Sequence, residues 1–370
     1  MPSDSLTPLV PIPDVSVALE PALNAFTSLF MMAKTERLPG LNAWVGQTLD
    51  AMSPQERQEQ RLVMIGLYYA LLPERNWSSF PAHVSWLEKA SPAALRERML
   101  VEYTRMHKKS ADCWECTQAD SSTHDWTTVL ANEDSYLSFL HEHFEEEDID
   151  DDLERSAYHL ALDPPAMQKQ IAAYLRHAWE GYLSAEWERT RPMLQECVLA
   201  FGQVDFSQMS RLEAAEYITG QTLSGTKFEH LVSGQQRLVF IPNPHVGPYL
   251  THFELGEVRF IVFGARPPKG ILTETPDLSR TEILVRLSAL ADDTRLGILR
   301  YIAENGEQRS QEIMRALDLS QSGVSRHLMQ LSATGFLSER RCEGAKCYVL
   351  GQERLQETLQ ALSAFLLLDS

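Results

Sequence analysis

Near the C-terminal end of this 370-residue chain, the run LSQSGVSRHLMQLSATGFL (Leu319–Leu337) gathers Ser320, Gln321, Ser322, Ser325, Arg326 and His327. Arg340, Arg341 and Lys346 follow closely. Gln and Arg can form paired hydrogen bonds with base edges in a major groove, while Ser and Lys reach phosphate oxygens. The outward set Gln321, Ser322, Ser325, Arg326 and Gln330 contains no acid, whereas a solvated helix face ordinarily mixes Glu with Lys. The chemistry these residues suit is recognition of double-stranded DNA. For any single side chain the plainer alternative is a solvated or salt-bridged surface group, Arg326 included. His327 lies one step from the apolar stripe, where a structural hydrogen bond is the stronger expectation.

Two cysteine pairs offer another chemistry. Cys342 and Cys347 flank a turn and could face each other as a redox switch on DNA affinity. Facing residues reach disulfide distance only in some registers, and a reducing compartment keeps such a pair reduced. Cys113 and Cys116 have Cys-x-x-Cys spacing, with His107 and His124 nearby. A zinc site needs four ligands, and a second Cys-x-x-Cys is missing. No thioredoxin-like βαβ pattern surrounds the pair, so two local cysteines in a helical region is the simpler reading. HEHFEEEDIDDDLE brings His141 and His143 among carboxylates, but such runs are usually solvated. There is no nucleophile elbow, phosphate-cradling Gly loop or HExxH pair. No catalytic residue, metal ligand set or cofactor is expected, and the chain is read as not an enzyme.

The elements that position the polar set can be read locally. Ser320 is placed to cap a helix with its hydroxyl, and Leu319 and Val324 to staple its start. Val324, Leu328 and Leu331 form the inward stripe, and Gly335 sits where a left-handed residue ends the helix. Upstream, RSQEIMRALDL predicts a short helix with Ile313 and Leu317 inward, joined through Asp318 and Leu319 at helix-turn-helix spacing. Downstream, FLSERRCEGAKCYVLG predicts a hairpin tipped at Glu343-Gly344-Ala345, with Arg340, Arg341 and Lys346 on its arms: a basic wing.

Three blocks, LSALADDTRLGILRYI, EIMRALDLSQSGVSRHLMQLSATGFL and RRCEGAKCYVL, together resemble the ArsR-type (arsenic-repressor) winged-helix family of transcription regulators. The matching features are the Ala-Asp-x-Thr-Arg-Leu-x-Ile-Leu opening, the Ser-x-His-Leu in the recognition helix and the Gly-tipped wing ending in Tyr. The resemblance spans about residues 282–368. It implies a dimer with recognition helices in successive major grooves of a palindromic operator. It departs at one place. Metal-sensing members carry Glu-Leu-Cys-x-Cys-Asp before the recognition helix, where this chain has Glu307, Gln308, Arg309, Ser310, Gln311 and Glu312. Arg309 and Gln311 occupy the thiolate positions, so a soft metal has nothing to bind in that box.

The remainder is different in character. Arg280 to Leu350 holds 10 basic and 9 acidic side chains, so residues 1–279 carry nearly all of the net charge of −18. An acidic body argues against coating nucleic acid or anionic membrane over the whole surface. Helical periodicity dominates from Pro21, after a proline-rich lead-in and a short strand from Val15. It includes PALNAFTSLFMMAK, SPQERQEQRLVMIGLYYALLP, SPAALRERMLVEYTRMHKK, a long helix from about Pro165 with Ile171, Leu175, Ala178 and Tyr182 inward, and SRLEAAEYITGQTL. QRLVFIP, YLTHFEL and EVRFIVFG then predict a small antiparallel sheet, with His245 and His252 near strand ends. ARPPKGILTETPDLS reads as a linker.

The expected fold class is mainly α with small β elements. Residues 15–268 form a helical sensor or regulatory domain with a short antiparallel sheet, and residues 279–370 a winged helix-turn-helix. All seven tryptophans fall in the body, as core or as the lining of an effector pocket. Leu284, Leu287, Leu290, Leu355, Leu359 and Leu362, on the helices flanking the winged helix, are the expected dimer seam. The longest apolar run, LVMIGLYYALL, is too short to span a bilayer, no secretory signal is visible, and five cysteines are few, so a cytoplasmic location is expected. The leading expectation is a DNA-binding regulator, a repressor and homodimer, with a small-molecule effector for the body. The alternatives are a helical enzyme or thiol-redox or metal protein with an appended winged helix, and a protein-interaction scaffold.

Overall fold

Apolar side chains on both faces of one strand organise the body. The computed structural model describes residues 14–35, 38, 41–105, 126–144, 149–268, 280–342 and 345–366. Strands β1 (Val15–Val17), β2 (Arg237–Asn243), β3 (Thr251–Leu255) and β4 (Val258–Gly264) form a sheet in the order β1-β2-β4-β3. Leu238 and Phe240 of β2 pack with Ile261 and Phe263 of β4 against Phe201, Ile218 and Val232. Val239 and Ile241 pack with Phe260 and Val262 in the cluster holding Phe26, Leu29 and Ile171. Helices therefore cover the sheet on both sides.

This corrects the antiparallel expectation. β1 pairs with β2, and β2 with β4, in parallel; only β3 and β4 are antiparallel. The short turns between the three segments suggest a meander. However, RLVFIP and VRFIVF lack the polar alternation of a sheet with one wet face, and strands buried on both faces suit parallel pairing. The turn after β3 passes through Gly256, in a left-handed conformation (φ 59°), and returns β4 to the position beside β2.

The helices run close to where periodicity places them: Pro21–Ala33, Pro54–Arg61, Pro92–Arg105, Pro164–Ala178 and Arg211–Thr219. Ser53 and Glu56 close a reciprocal cap at the second. The long helix passes through a π-helical turn, Trp179–Leu183, into Ser184–Phe201. Ile171, Leu175 and Ala178 are fully buried, and Tyr182 is half-buried with its hydroxyl 3.3 Å from that of Tyr174. Trp44 stacks on His245, while Trp77 meets Trp86, and Trp179 meets Phe80, at tilted angles.

A polar network crosses this core just beyond β2. The Asn243 side chain donates to the backbone oxygen and Oδ1 of Asn24, both at 3.0 Å, and its own Oδ1 accepts from the His245 and Val246 amides. His245 places Nδ1 2.8 Å from Ser28 Oγ and Nε2 2.8 Å from Glu186 Oε1. Burial holds the imidazole below its ordinary pKa, with the Glu186 carboxylate opposing that fall. Arg189 closes the set with two hydrogen bonds to Glu186.

Residues after 280 build another core from Ile298, Ile302, Ile313, Val324, Leu328, Leu331 and Phe336. Two arginines connect it to the body: Arg266 Nε lies 3.0 Å from Glu282 Oε1, and Arg354 Nη2 donates to Gly220 O at 2.5 Å. The linker stretch 269–279 lies outside the described residues, as do Cys113, Cys116, His107 and His124. No helix among the described residues is long and apolar enough to cross a membrane.

Candidate nucleic-acid interface

The polar set rests on the helix Gln321–Ala333. Ser320 caps it, accepting from the Gly323 amide at 3.2 Å. Before it stand the helix Ser310–Ala316 and a turn in which Asp318 takes a left-handed conformation (φ 51°), one that Asp tolerates better than branched residues. The Leu319 amide donates to Met314 O across this turn. Ile313, Val324, Leu328 and Leu331 are buried as their spacing predicts. Gly335 follows the last turn with φ 78°, and a Cβ there would stand 2.7 Å from Arg354 Nε. Gly335→Ala is therefore expected to cost about 1–2 kcal/mol, combining a positive-φ penalty with a clash against a partly movable side chain. A urea midpoint equal to that of the parent protein would refute this.

Gln321, Ser322 and Arg326 are exposed, and Ser325 is half-buried. Arg326 has no ion-pair partner among the described residues. Gln330 corrects the outward assignment: it is 1% exposed. The helix end meets the body, where Ala333 packs against Met31, Val246 and Tyr249, and a local pattern cannot register a neighbour so distant in sequence. Met329, absent from the sequence reading, is 40% exposed. Only the first half of the helix thus offers polar side chains outward. His327 turns inward, with Nδ1 3.8 Å from Asp292 Oδ1, and burial lowers its pKa.

The wing is the hairpin β6 (Leu337–Cys342) and β7 (Ala345–Leu350), joined by β5 (Gln308–Arg309) in the order β5-β7-β6. Arg340 is paired with Glu307, Nη2 to Oε2 at 2.7 Å and Nε to the other carboxylate oxygen, which pulls Glu307 down to about 2. Lys346 Nζ lies 2.8 Å from Glu339. Arg341 is opposite Lys346 in the ladder; its side chain lies outside the described residues, as do Glu343 and Gly344. Sequence reasoning missed the pairing of Glu307 with Arg340 and the approach of Asp292 to His327, which join positions 33 and 35 apart. Cys342 and Cys347 are free thiols. Cys347 is opposite Arg340 and Cys342 opposite Ala345, so the two stand diagonally and not face to face.

A helix-turn-helix backed by a three-stranded hairpin sheet defines a winged helix-turn-helix. Residues 292–339 match the family described as "Bacterial regulatory protein, arsR family". The chain is 50% identical over 52 residues to an arsenic resistance transcriptional regulator of Pseudomonas putida, and 46% identical over 52 residues to the arsenical resistance operon repressor of Escherichia coli. It is 41% identical over 85 residues to a second arsenic resistance transcriptional regulator of P. putida. These matches take in 14%, 14% and 21% of this chain, and 41%, 44% and 74% of the relatives. The chain thus spans less than half the length of the first two. It belongs to the ArsR family of bacterial regulatory proteins through its C-terminal region. No solved structure matches the chain.

Proposed function

We propose that this chain is a DNA-binding transcription regulator, a repressor that engages a palindromic operator as a homodimer. The observation that carries the reading is the recognition helix itself. It is anchored by Val324, Leu328 and Leu331, while Gln321, Ser322 and Arg326 stand exposed at its N-terminal half with no acid among them. In helix-turn-helix proteins that half of the helix reads base edges. In this reading Ser320, Gln321, Ser322, Ser325 and Arg326 meet the groove, Arg340, Arg341 and Lys346 meet phosphates, and His327, turned inward, does not. Arg340 and Lys346 must exchange their carboxylate partners for phosphate, which makes binding salt-sensitive.

The helices Arg280–Leu290 and Gln352–Phe365 pair within the chain through Ile283, Leu287, Ala361 and Leu362. Leu290 and Leu355 join the winged-helix core. Leu284 and Leu359 remain 57% and 58% exposed and form the dimer seam of this proposal. Residues 15–268 act as the sensor domain in this reading. An effector works by binding the DNA-competent and DNA-incompetent forms unequally, and a cleft of about 270 Å³ bordered by Met52, Glu56, Glu59, Tyr174 and Tyr182 is available to it.

Genomic footprinting with Arg326→Ala tests the reading. Loss of a base contact is expected to weaken operator binding by about 1–3 kcal/mol and to relax sequence preference at one position of each half-site. Unchanged sites and affinity would remove Arg326 from the interface. Absence of any footprint with the parent protein would remove the function.

A further inference from the structure

We propose that Glu307, Cys342 and Cys347 form a binding site for a thiophilic divalent cation of the zinc or cadmium type. The three side chains come from the three strands of the wing sheet or their immediate flank. Glu307 directly precedes β5, Cys347 lies on the central β7, and Cys342 ends β6. The register puts them on one face. Cys347 is opposite both Arg309, two residues from Glu307, and Arg340, two residues from Cys342. Their ligand atoms all lie within 4.8 Å of one another. In a tetrahedral zinc site with Zn–S of about 2.3 Å, two sulfurs stand about 3.8 Å apart. Closing the present arrangement therefore takes about 1 Å of side-chain adjustment.

Disulfide formation fits less well. Diagonal positions across an antiparallel pair hold Cα atoms about 7–8 Å apart, beyond the usual disulfide span. An ion bridges that gap without moving the backbone. Two sulfurs and a carboxylate oxygen make a three-ligand set for a borderline-soft cation, leaving the fourth position for water. This set is separate from Arg309 and Gln311, which supply no thiolate.

A soft cation takes cysteine as the thiolate, so each thiol must give up its proton on binding. Binding one cation therefore displaces two thiol protons, one from each sulfur, and frees one Glu307 oxygen from Arg340. Affinity must fall as pH falls.

The test uses the full chain carrying Cys113→Ser and Cys116→Ser, so that the other close cysteine pair contributes nothing. Cys197, the remaining thiol, is buried and donates to Arg266 O. Cadmium titration is read by the ultraviolet thiolate-to-metal band, and zinc affinity by competition with a chromophoric chelator. One equivalent per chain and release of two protons are expected. Cys342, half-buried, is replaced in preference to the buried Cys347. Cys342→Ser is expected to halve the band and weaken zinc at least about 100-fold, and Glu307→Gln to weaken it about 10-fold with the band intact. No band in the Cys113→Ser/Cys116→Ser protein, a band unchanged by Cys342→Ser, or spontaneous pairing of Cys342 with Cys347 in place of ion binding would each overturn the proposal. No DNA is present in these measurements, so their outcome is independent of the regulator reading.

Discussion

Glu186→Ala is expected to destabilise the body by about 2–4 kcal/mol, the loss of a charge-assisted hydrogen bond made almost wholly out of water. Glu186 and His245 side chains are 3% and 2% exposed. Without the carboxylate, His245 Nε2 is left in the core with no acceptor, between Ser28 and the stacked ring of Trp44. Glu186→Gln keeps an acceptor oxygen and should recover most of the loss. The pH dependence has a definite sign. His245 titrates lower in the folded protein than its usual value because of burial. Glu186 also titrates lower than usual; burial opposes that shift, and the bonds to His245 and Arg189 outweigh it. Both therefore contribute stability above their unfolded pKa values that is lost as the solution is acidified. Removing Glu186 takes away what supports the imidazolium, so the Ala variant should weaken more steeply below about pH 6.5. Chemical denaturation from pH 5 to 8 measures this, and equal midpoints for parent and Glu186→Ala would show that the network is not load-carrying.

Glu154→Gln should act in the opposite direction. Glu154 is 7% exposed and its Oε2 has no hydrogen-bond partner among the described residues. Burial, helped by the nearby Asp150 and Asp151, pushes it up to about 8. The folded protein thus keeps a proton there that the unfolded chain releases near pH 4.5. Stability that is complete below that point drains away as pH rises to about 8. A neutral amide removes the drain. Glu154→Gln is expected to match the parent near pH 4.5 and to exceed it by about 2–4 kcal/mol near pH 8. A pH-independent difference between the two would sink this account.

Legibility in the sequence followed range. Ser320, Asp318, Gly335 and the stripe Val324, Leu328, Leu331 act within a few residues of themselves, so capping, turn and periodicity rules place them. The wing hairpin was legible for the same reason. The parallel pairing of β1 and β2 joins Val15 to Leu238, and nothing local to either segment announces it. Gln330 escapes a local reading: it is buried in the helix half whose end, at Ala333, packs against the body, and periodicity within the helix does not register that. Arg340 was legible as a basic residue on a wing but not as one already paired with Glu307. The buried line Asn24–Asn243–His245–Glu186 draws on three distant segments, each of which reads alone as ordinary helix or loop.

Arg354 bridges the tail and the body. It lies against Gly335, just past the end of the recognition helix, and grips the carbonyl of Gly220, which ends a body helix. A cation there also answers the partial negative charge on the exposed carbonyls of a helix terminus. The two helices are in effect hung from one peg. Neither can swing without the peg releasing a carbonyl or sliding over a glycine that has no side chain to guide it. The angle at which the tail presents itself is thus shared property, and a disturbance in the acidic half has a mechanical route to the helix that faces outward.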